Sequence, residues 1–295
     1  MLLLLAGCSP TSASSAAPSL IKVAYTFKAG DTYRYRFNSA SNSSLTIGSK
    51  LAATPMAKGS ADVTWKVASV DKSGNATIDL TLSNLKSTFS PSQHYRFQVK
   101  PTGEIVSGNP SAIGSLVSSS GQGLGPPGTD QFLAILPGRA IKPGDSWSRT
   151  FTTPGPYGQG NITYTSESRF LRYENLSGGR AAVIQTKTTV PLDISVDPQT
   201  FAGTAGAASP APPPVGGTVR IQATDTNTAT IWFDVRTGQV TRLITVSNTD
   251  QTTTVSGITG QAPPGIATDA NGHPLSPMHE VGSLTLRFDL VPSSR

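Results

Sequence analysis

Four residue sets in this sequence have types and spacing that could support catalysis, ligation or cofactor binding. A serine nucleophile needs a base within reach and donors for the developing oxyanion. The pairs Ser69/Lys72 and Ser83/Lys86 have the Ser-x-x-Lys spacing, but they fall on a turn or a strand, where i and i+3 point to opposite faces. No Gly-x-Ser-x-Gly elbow and no Ser-Asp-Asn or Lys-Thr-Gly companion accompanies them. A metal would want clustered imidazole and carboxylate ligands. The histidines are His94, His273 and His279, and the last two share a Pro-rich stretch with Glu280, which reads as solvated loop rather than as a site. Asp31 and Asp145 could form a carboxylate pair only by converging in space. Each follows a glycine in a Gly-Asp turn, where the carboxylate satisfies nearby amides. The run Gly123-Leu124-Gly125-Pro126-Pro127-Gly128 fits Gly-x-Gly-x-x-Gly, but two prolines remove the amides a pyrophosphate needs. The expectation is no catalytic, metal-binding or cofactor-binding residue, hence no cofactor and a non-enzymatic protein.

Charge narrows the partners. The net charge is +6, but the basic residues are dispersed, as in Tyr33-Arg34-Tyr35-Arg36, with no run of five and no helix-turn-helix or zinc-finger spacing. No nucleic-acid partner is expected; a weak attraction to anionic lipid or wall polymers remains open. Charged residues are only 14% of the chain, below the usual quarter, while hydroxyl side chains and glycine are plentiful. That surface suits an exported β-protein. The sequons at Asn42 and Asn161 carry little weight beside the N-terminal signal described next.

The only cysteine is Cys8, so an internal disulfide is excluded. It ends Leu5-Ala6-Gly7-Cys8, directly after the apolar run Leu2 to Leu5. This resembles the bacterial lipobox. The resemblance implies cleavage after Gly7, a diacylglyceryl thioether on Cys8 and a mature chain lipid-anchored outside the cytoplasm. Each buried methylene contributes roughly 0.8 kcal/mol, so two or three acyl chains hold stably. The run departs from an ordinary signal peptide, which carries a basic start and about 7–15 apolar residues; the favoured expectation is a start codon upstream of Met1, the alternative a defective signal. Ser9 in place of the Asp that marks inner-membrane retention in the lipoproteins it resembles points to the outer membrane of a two-membrane cell. Residues 9–19 are rich in Ser, Ala, Thr and Pro and read as a flexible tether. No segment reaches 18 consecutive apolar residues, so no membrane-spanning helix is expected.

The elements that must position any site are strands. Tyr33, Tyr35 and Phe37 alternate with Arg34 and Arg36; Val63, Trp65 and Val67 alternate with Thr64 and Lys66; Ala76, Ile78, Leu80 and Leu82 follow the turn 71–75. Pro101-Thr102-Gly103 predicts a hairpin between 95–99 and 104–106. Two short helices are expected over 109–119 and 129–136, the second stopped by Pro137-Gly138. The second half echoes the first: Lys142-Pro143-Gly144-Asp145-Ser146-Trp147 matches Lys28-Ala29-Gly30-Asp31-Thr32-Tyr33, and Phe233 to Val240 matches Phe97 to Ile105. Thr224, Thr226, Thr228 and Thr230 mark a Thr-rich strand, and Leu284, Leu286, Phe288 and Leu290 a terminal one.

The expected organisation is a signal remnant over 1–7, a lipidated tether over 8–20, a first β-lobe with short helices over 21–136 and a second over 137–295, with Pro/Gly-rich insertions at 200–217 and 257–282. The expected fold is mainly β: two repeated antiparallel lobes, or one large curved antiparallel sheet, with one or two short helices. The Gly-Asp-x-aromatic strand starts and the Phe-Asp-x-x-Thr-Gly hairpin resemble uncharacterised β-rich envelope lipoproteins across residues 22–290. The architecture is similar to the half-barrel envelope lipoproteins that carry lipids or other lipoproteins. These resemblances imply binding of an apolar ligand or a protein partner on a concave β surface; a structural or adhesive module and a secreted hydrolase are the alternatives.

Overall fold

The computed structural model describes residues 20–53, 56–86, 93–108, 133–155, 159–176, 179–198, 216–258 and 268–291. Alternation of apolar and polar residues is written through all of them and folds them as fourteen strands. In the first half these are β1 (Ile21–Lys22), β2 (Thr32–Ile47), β3 (Lys50–Ala53), β4 (Met56–Val70), β5 (Ala76–Lys86), β6 (Gln93–Val99) and β7 (Ile105–Gly108). The second half holds β8 (Ala140–Ile141), β9 (Ser146–Pro154), β10 (Asn161–Leu176), β11 (Gly179–Val196), β12 (Thr218–Asp234), β13 (Gln239–Ser256) and β14 (Met278–Leu290). β14 begins inside the stretch 257–282 expected as an insertion.

Twelve strands form one antiparallel sheet in the order β7-β6-β5-β4-β2-β14-β13-β12-β11-β10-β9, with β3 pairing β2 at the side; β1 and β8 pair with each other. Of the two architectures the sequence allows, the protein adopts the single large sheet. Along the sheet, β2, β4, β5, β6 and β7 are successive neighbours in the first half and β9 to β13 in the second, and the terminal β14 joins the halves by pairing both β13 and β2.

The sheet is rolled until its ends meet at one side. Arg149 of β9, the last strand of the order, donates to Glu104 at 2.9 Å, on the turn leading into β7, the first strand. One hydrophobic cluster accordingly draws on strands from one end of the sheet to the other, from Val63, Ile78 and Phe97 to Phe170, Ile184, Phe233 and Phe288. Burying one such side chain contributes about 1.5–3 kcal/mol, which is why period two is so strictly kept along these strands. The face that carries this cluster is called inner below.

The expectation of short helices is not met. Residues 109–119 lie outside the described residues. Of 129–136, the described part, Leu133 to Leu136, is not helical. All four residues are 3% exposed or less, lying along the core. Their backbone groups find tertiary partners instead of helical ones. Leu136 N–H donates to Thr102 O at 2.8 Å, Ala134 N–H to the Tyr25 hydroxyl at 2.7 Å, and the Trp147 indole N–H donates to Ile135 O at 2.8 Å. Pro137 reinforces this, since a residue before proline is disfavoured in the α region.

The two Gly-Asp turns make the same bonds. Asp31 N–H donates to Lys28 O and Gly30 N–H to Val67 O; Asp145 N–H donates to Lys142 O and Gly144 N–H to Phe170 O. Gly30 and Gly144 have φ of 90° and 97°, a conformation that favours glycine. The two Thr-Gly hairpin turns are also used alike. A Cβ on Gly103 would lie 2.1 Å from Ala134 O, and one on Gly238 would lie 2.6 Å from Thr26 Oγ1. In each case the segment leading into one half presses on the hairpin turn of the other.

Candidate functional site

On the inner face of β10 to β13 an apolar layer gives way to a polar belt. Ser168 faces Thr186, and Thr186 faces Ala229, which faces Thr245; one step along, Ser166, Thr188, Asn227 and Ser247 line up in register, followed by Asp225 opposite Thr249. Hydroxyl pairs satisfy part of it: Ser166 with Thr188 at 2.8 Å and Ser168 with Thr186 at 2.9 Å. The Thr249 hydroxyl donates to Asp225. The Ser247 hydroxyl, 2% exposed, has no partner among the described residues. Burial pushes the Asp225 carboxyl above its ordinary pKa, an effect the Thr249 bond only partly offsets. Past the belt lie two small apolar clusters, one around Ile194, Val196, Val219 and Ile221, the other around Ile162, Tyr164 and Val190.

Where Leu133 and Ile135 lie over Thr186, Thr188 and Asn227, the space left is about 20 Å³, room for about one water and not for an acyl chain. The chain's own segment 133–136 thus covers this part of the inner face.

The outer face is open and polar. One trough of about 720 Å³ crosses β11 to β14, lined by the polar residues Gln222, Thr224, Thr226, Asn248, Thr249, Asp250 and Thr252 and by the apolar Pro191, Leu192, Ala223 and Val281. Bidentate Arg220–Asp193 bonds at 2.9 and 2.7 Å and the His279–Asp250 contact at 2.9 Å lie on the same strands. The Arg220 guanidinium beside it holds the Asp193 carboxyl below the usual carboxylate range. A second trough, about 620 Å³, lies across β2, β4 and β5 and is lined by Arg36, Asn38, Ser60, Asp62, Asn84 and Lys86. Across β10 to β14 runs a ladder of polar pairs: Arg242 bonds Asp289 at 2.7 Å and lies 5.5 Å from the Trp232 ring, whose N–H donates to Glu174 at 2.6 Å.

The residues singled out from sequence are dispersed. Asp31 accepts from the Tyr33 hydroxyl and Asp145 from Lys142 N–H, each serving its own turn. His94 bonds Thr81, His273 bonds Asp269 and His279 bonds Asp250. His279 and Glu280 are consecutive on β14 and therefore point to opposite faces. Among the described residues no three His, Cys, Asp or Glu side chains gather to hold a metal. Cys8, the Gly123–Gly128 loop and its prolines lie outside the described residues. Ser69 is on β4 and Lys72 in the following turn.

Ser83 and Lys86 depart from the expected geometry. The register passes from Asp62/Ser83 to Ser60/Lys86, so β5 spends one residue more than β4, and Asn84 takes φ 53° to absorb it. The bulge turns Lys86 onto the outer face with Ser83. Sequence reading missed this, and it missed Asp225 and Asn227. The signal for the latter was present: residues 219, 221, 223, 229, 231 and 233 are apolar, and the polar pair interrupts that series.

Comparison with known proteins finds no family model that matches the chain, and no curated protein matches it.

Proposed function

We propose that this is a lipid-anchored cell-envelope lipoprotein, held through Cys8 outside the cytoplasm, which binds a polar protein or envelope partner on the outer face of its sheet without catalysing a reaction. One observation carries the choice of face. Segment 133–136 fills its part of the inner surface down to about 20 Å³, whereas troughs of about 720 and 620 Å³, lined by polar and charged side chains together with some apolar ones, open on the outside. In volume, though not in their largely polar lining, both fall in the range of a few hundred to about 1,000 Å³ usual for ligand clefts. The finer organisation belongs to the same reading: residues 21–136 and 137–295 are two copies of one unit, as the shared Gly-Asp turn bonding and the reciprocal Gly103 and Gly238 contacts support. In a two-membrane cell the outer membrane is the favoured site.

Site-specific photo-cross-linkers on the intact, acylated protein test the face. At Thr226, on the outer trough, a cross-linker is expected to capture a defined envelope component; at Ile231, under segment 133–136, it is expected to capture only the chain itself. Stoichiometric lipid recovered from the Ile231 position would overturn the reading in favour of an apolar-ligand carrier.

A further inference from the structure

The second outer trough combines two features that a merely solvated surface does not need. Arg36 stands in register between two carboxylates, Asp62 on β4 and Asp289 on β14. Cross-strand pairs of opposite charge ordinarily join. Here neither carboxylate bonds it. Asp62 is held by the Asn84 side-chain amide at 2.7 Å, and Asp289 by Arg242 and Arg287 at 2.7 and 2.5 Å. The guanidinium fork, with its five donors, is left facing the trough.

Lys86 arrives at the same trough only because of the bulge. In a regular strand it would point to the inner face; the extra residue and the left-handed Asn84 bring it out opposite Ser60. Asparagine tolerates that conformation better than other side chains with a Cβ, and its amide is the group that occupies Asp62. The same residue therefore delivers one cation and ties up the carboxylate that would neutralise the other.

From this we infer that the trough binds an oxyanion, a phosphate or carboxylate borne by a hydroxylated, carbohydrate-like partner. Arg36 takes the oxyanion bidentately and Lys86 as a point charge. Asn38 and Ser60 offer hydrogen bonds to the surrounding hydroxyls, and the Asp62 carboxylate accepts from one of them. Among the described residues of the lining Ala61 is the only apolar one, and it offers no surface to an acyl chain, which favours a soluble sugar oxyanion over a membrane surface. The inference rests on the outer-face reading and names the chemistry one of its sites recognises.

Titration of the full chain with glucose 6-phosphate, followed by the Arg36 and Asn84 side-chain NMR signals, tests it. The expected result is saturable shifts at both residues, absent with glucose. Arg36→Gln is expected to weaken binding about tenfold or more, the loss of one charge-assisted pair. Arg34→Gln, one outward position along β2, leaves it unchanged, and both variants keep the parent thermal midpoint. Equal response to glucose and its phosphate, or equal effects of Arg36→Gln and Arg34→Gln, overturns the inference. So does binding to phosphatidylglycerol vesicles without binding of the sugar phosphate. If the sugar phosphate fails while the Thr226 cross-linker still captures its component, this inference falls and the outer-face reading stands.

Discussion

Replacing Gly103 by alanine, with Gly30→Ala as its control, measures how firmly segment 133–136 is clamped on the opposite hairpin. Both glycines have positive φ, 84° and 90°, so both substitutions carry the same left-handed penalty, about 1–2 kcal/mol. At Gly30 nothing lies within 4 Å of the new methyl group, and that penalty is the whole cost. At Gly103 the methyl would sit 2.1 Å from Ala134 O and 3.0 Å from the Tyr25 ring. Backbone cannot yield like a flexible side chain, so the segment must lift. Lifting it loses the Leu136–Thr102 and Ala134–Tyr25 hydrogen bonds, about 1 kcal/mol each, and loosens the packing of Leu133, Ile135 and Leu136, where truncating one such side chain costs about 2–5 kcal/mol. Partial relaxation brings the expected total for Gly103→Ala to roughly 3–5 kcal/mol, against about 1–2 for Gly30→Ala. Urea unfolding followed by tryptophan fluorescence gives both values, provided the slopes agree with the parent. A Gly103→Ala protein within about 0.5 kcal/mol of the Gly30→Ala protein, a spread usual for neutral surface changes, would refute the clamp.

Three further outcomes are expected. Because burial raises the Asp225 pKa in the folded protein, the native state holds that proton more tightly than the unfolded chain. Its contribution is therefore complete below the unfolded value, about 3.9, and is lost as pH rises through the folded value. Asp225→Asn is expected to flatten this descent and to be the more stable protein on the alkaline side; parallel pH profiles of the urea midpoint would contradict that. Arg149→Leu removes the bond between the two ends of the sheet, whose side chains are 31% and 28% exposed. It is expected to cost about 1 kcal/mol and to raise amide hydrogen exchange in β9 while β12 keeps its protection; unchanged exchange in β9 would show that the ends are held by other means. Cys8→Ser is expected to move the protein from the membrane fraction to the soluble fraction in its native host, and an unmodified thiol on membrane-bound wild type, read by mass spectrometry, would exclude the lipid anchor.

Much of the local structure was legible because a strand's period of two is a local property. Tyr33, Tyr35 and Phe37, or Leu286 and Phe288, reveal which side of their strand is wet without reference to any partner. Turn chemistry is local too. Gly30-Asp31 and Gly144-Asp145 form the turns that their residue types dictate, and Thr102-Gly103 turns its hairpin. The same pattern is silent about neighbours. That β14 pairs β2 across more than two hundred residues, and that Arg149 reaches Glu104 to bring the sheet's ends together, are outcomes of burying one shared core.

The failures have the same origin. Leu133 to Leu136 read as the end of a short helix, because helix and buried strand look alike over a few apolar residues. Tyr25, Thr102 and Trp147, remote in sequence, supplied the hydrogen-bond partners that decided against it. Ser83 and Lys86 read as pointing to opposite faces because the bulge at Asn84 exists only in the pairing of β5 with β4. By itself, then, the amino-acid order determined the strands, their turns, their wet and dry sides and the presence of a single thiol. Only the tertiary structure decided strand order, the filling of the interior by 133–136 and the release of Arg36 from its neighbouring carboxylates, since each is set by which distant groups satisfy one another.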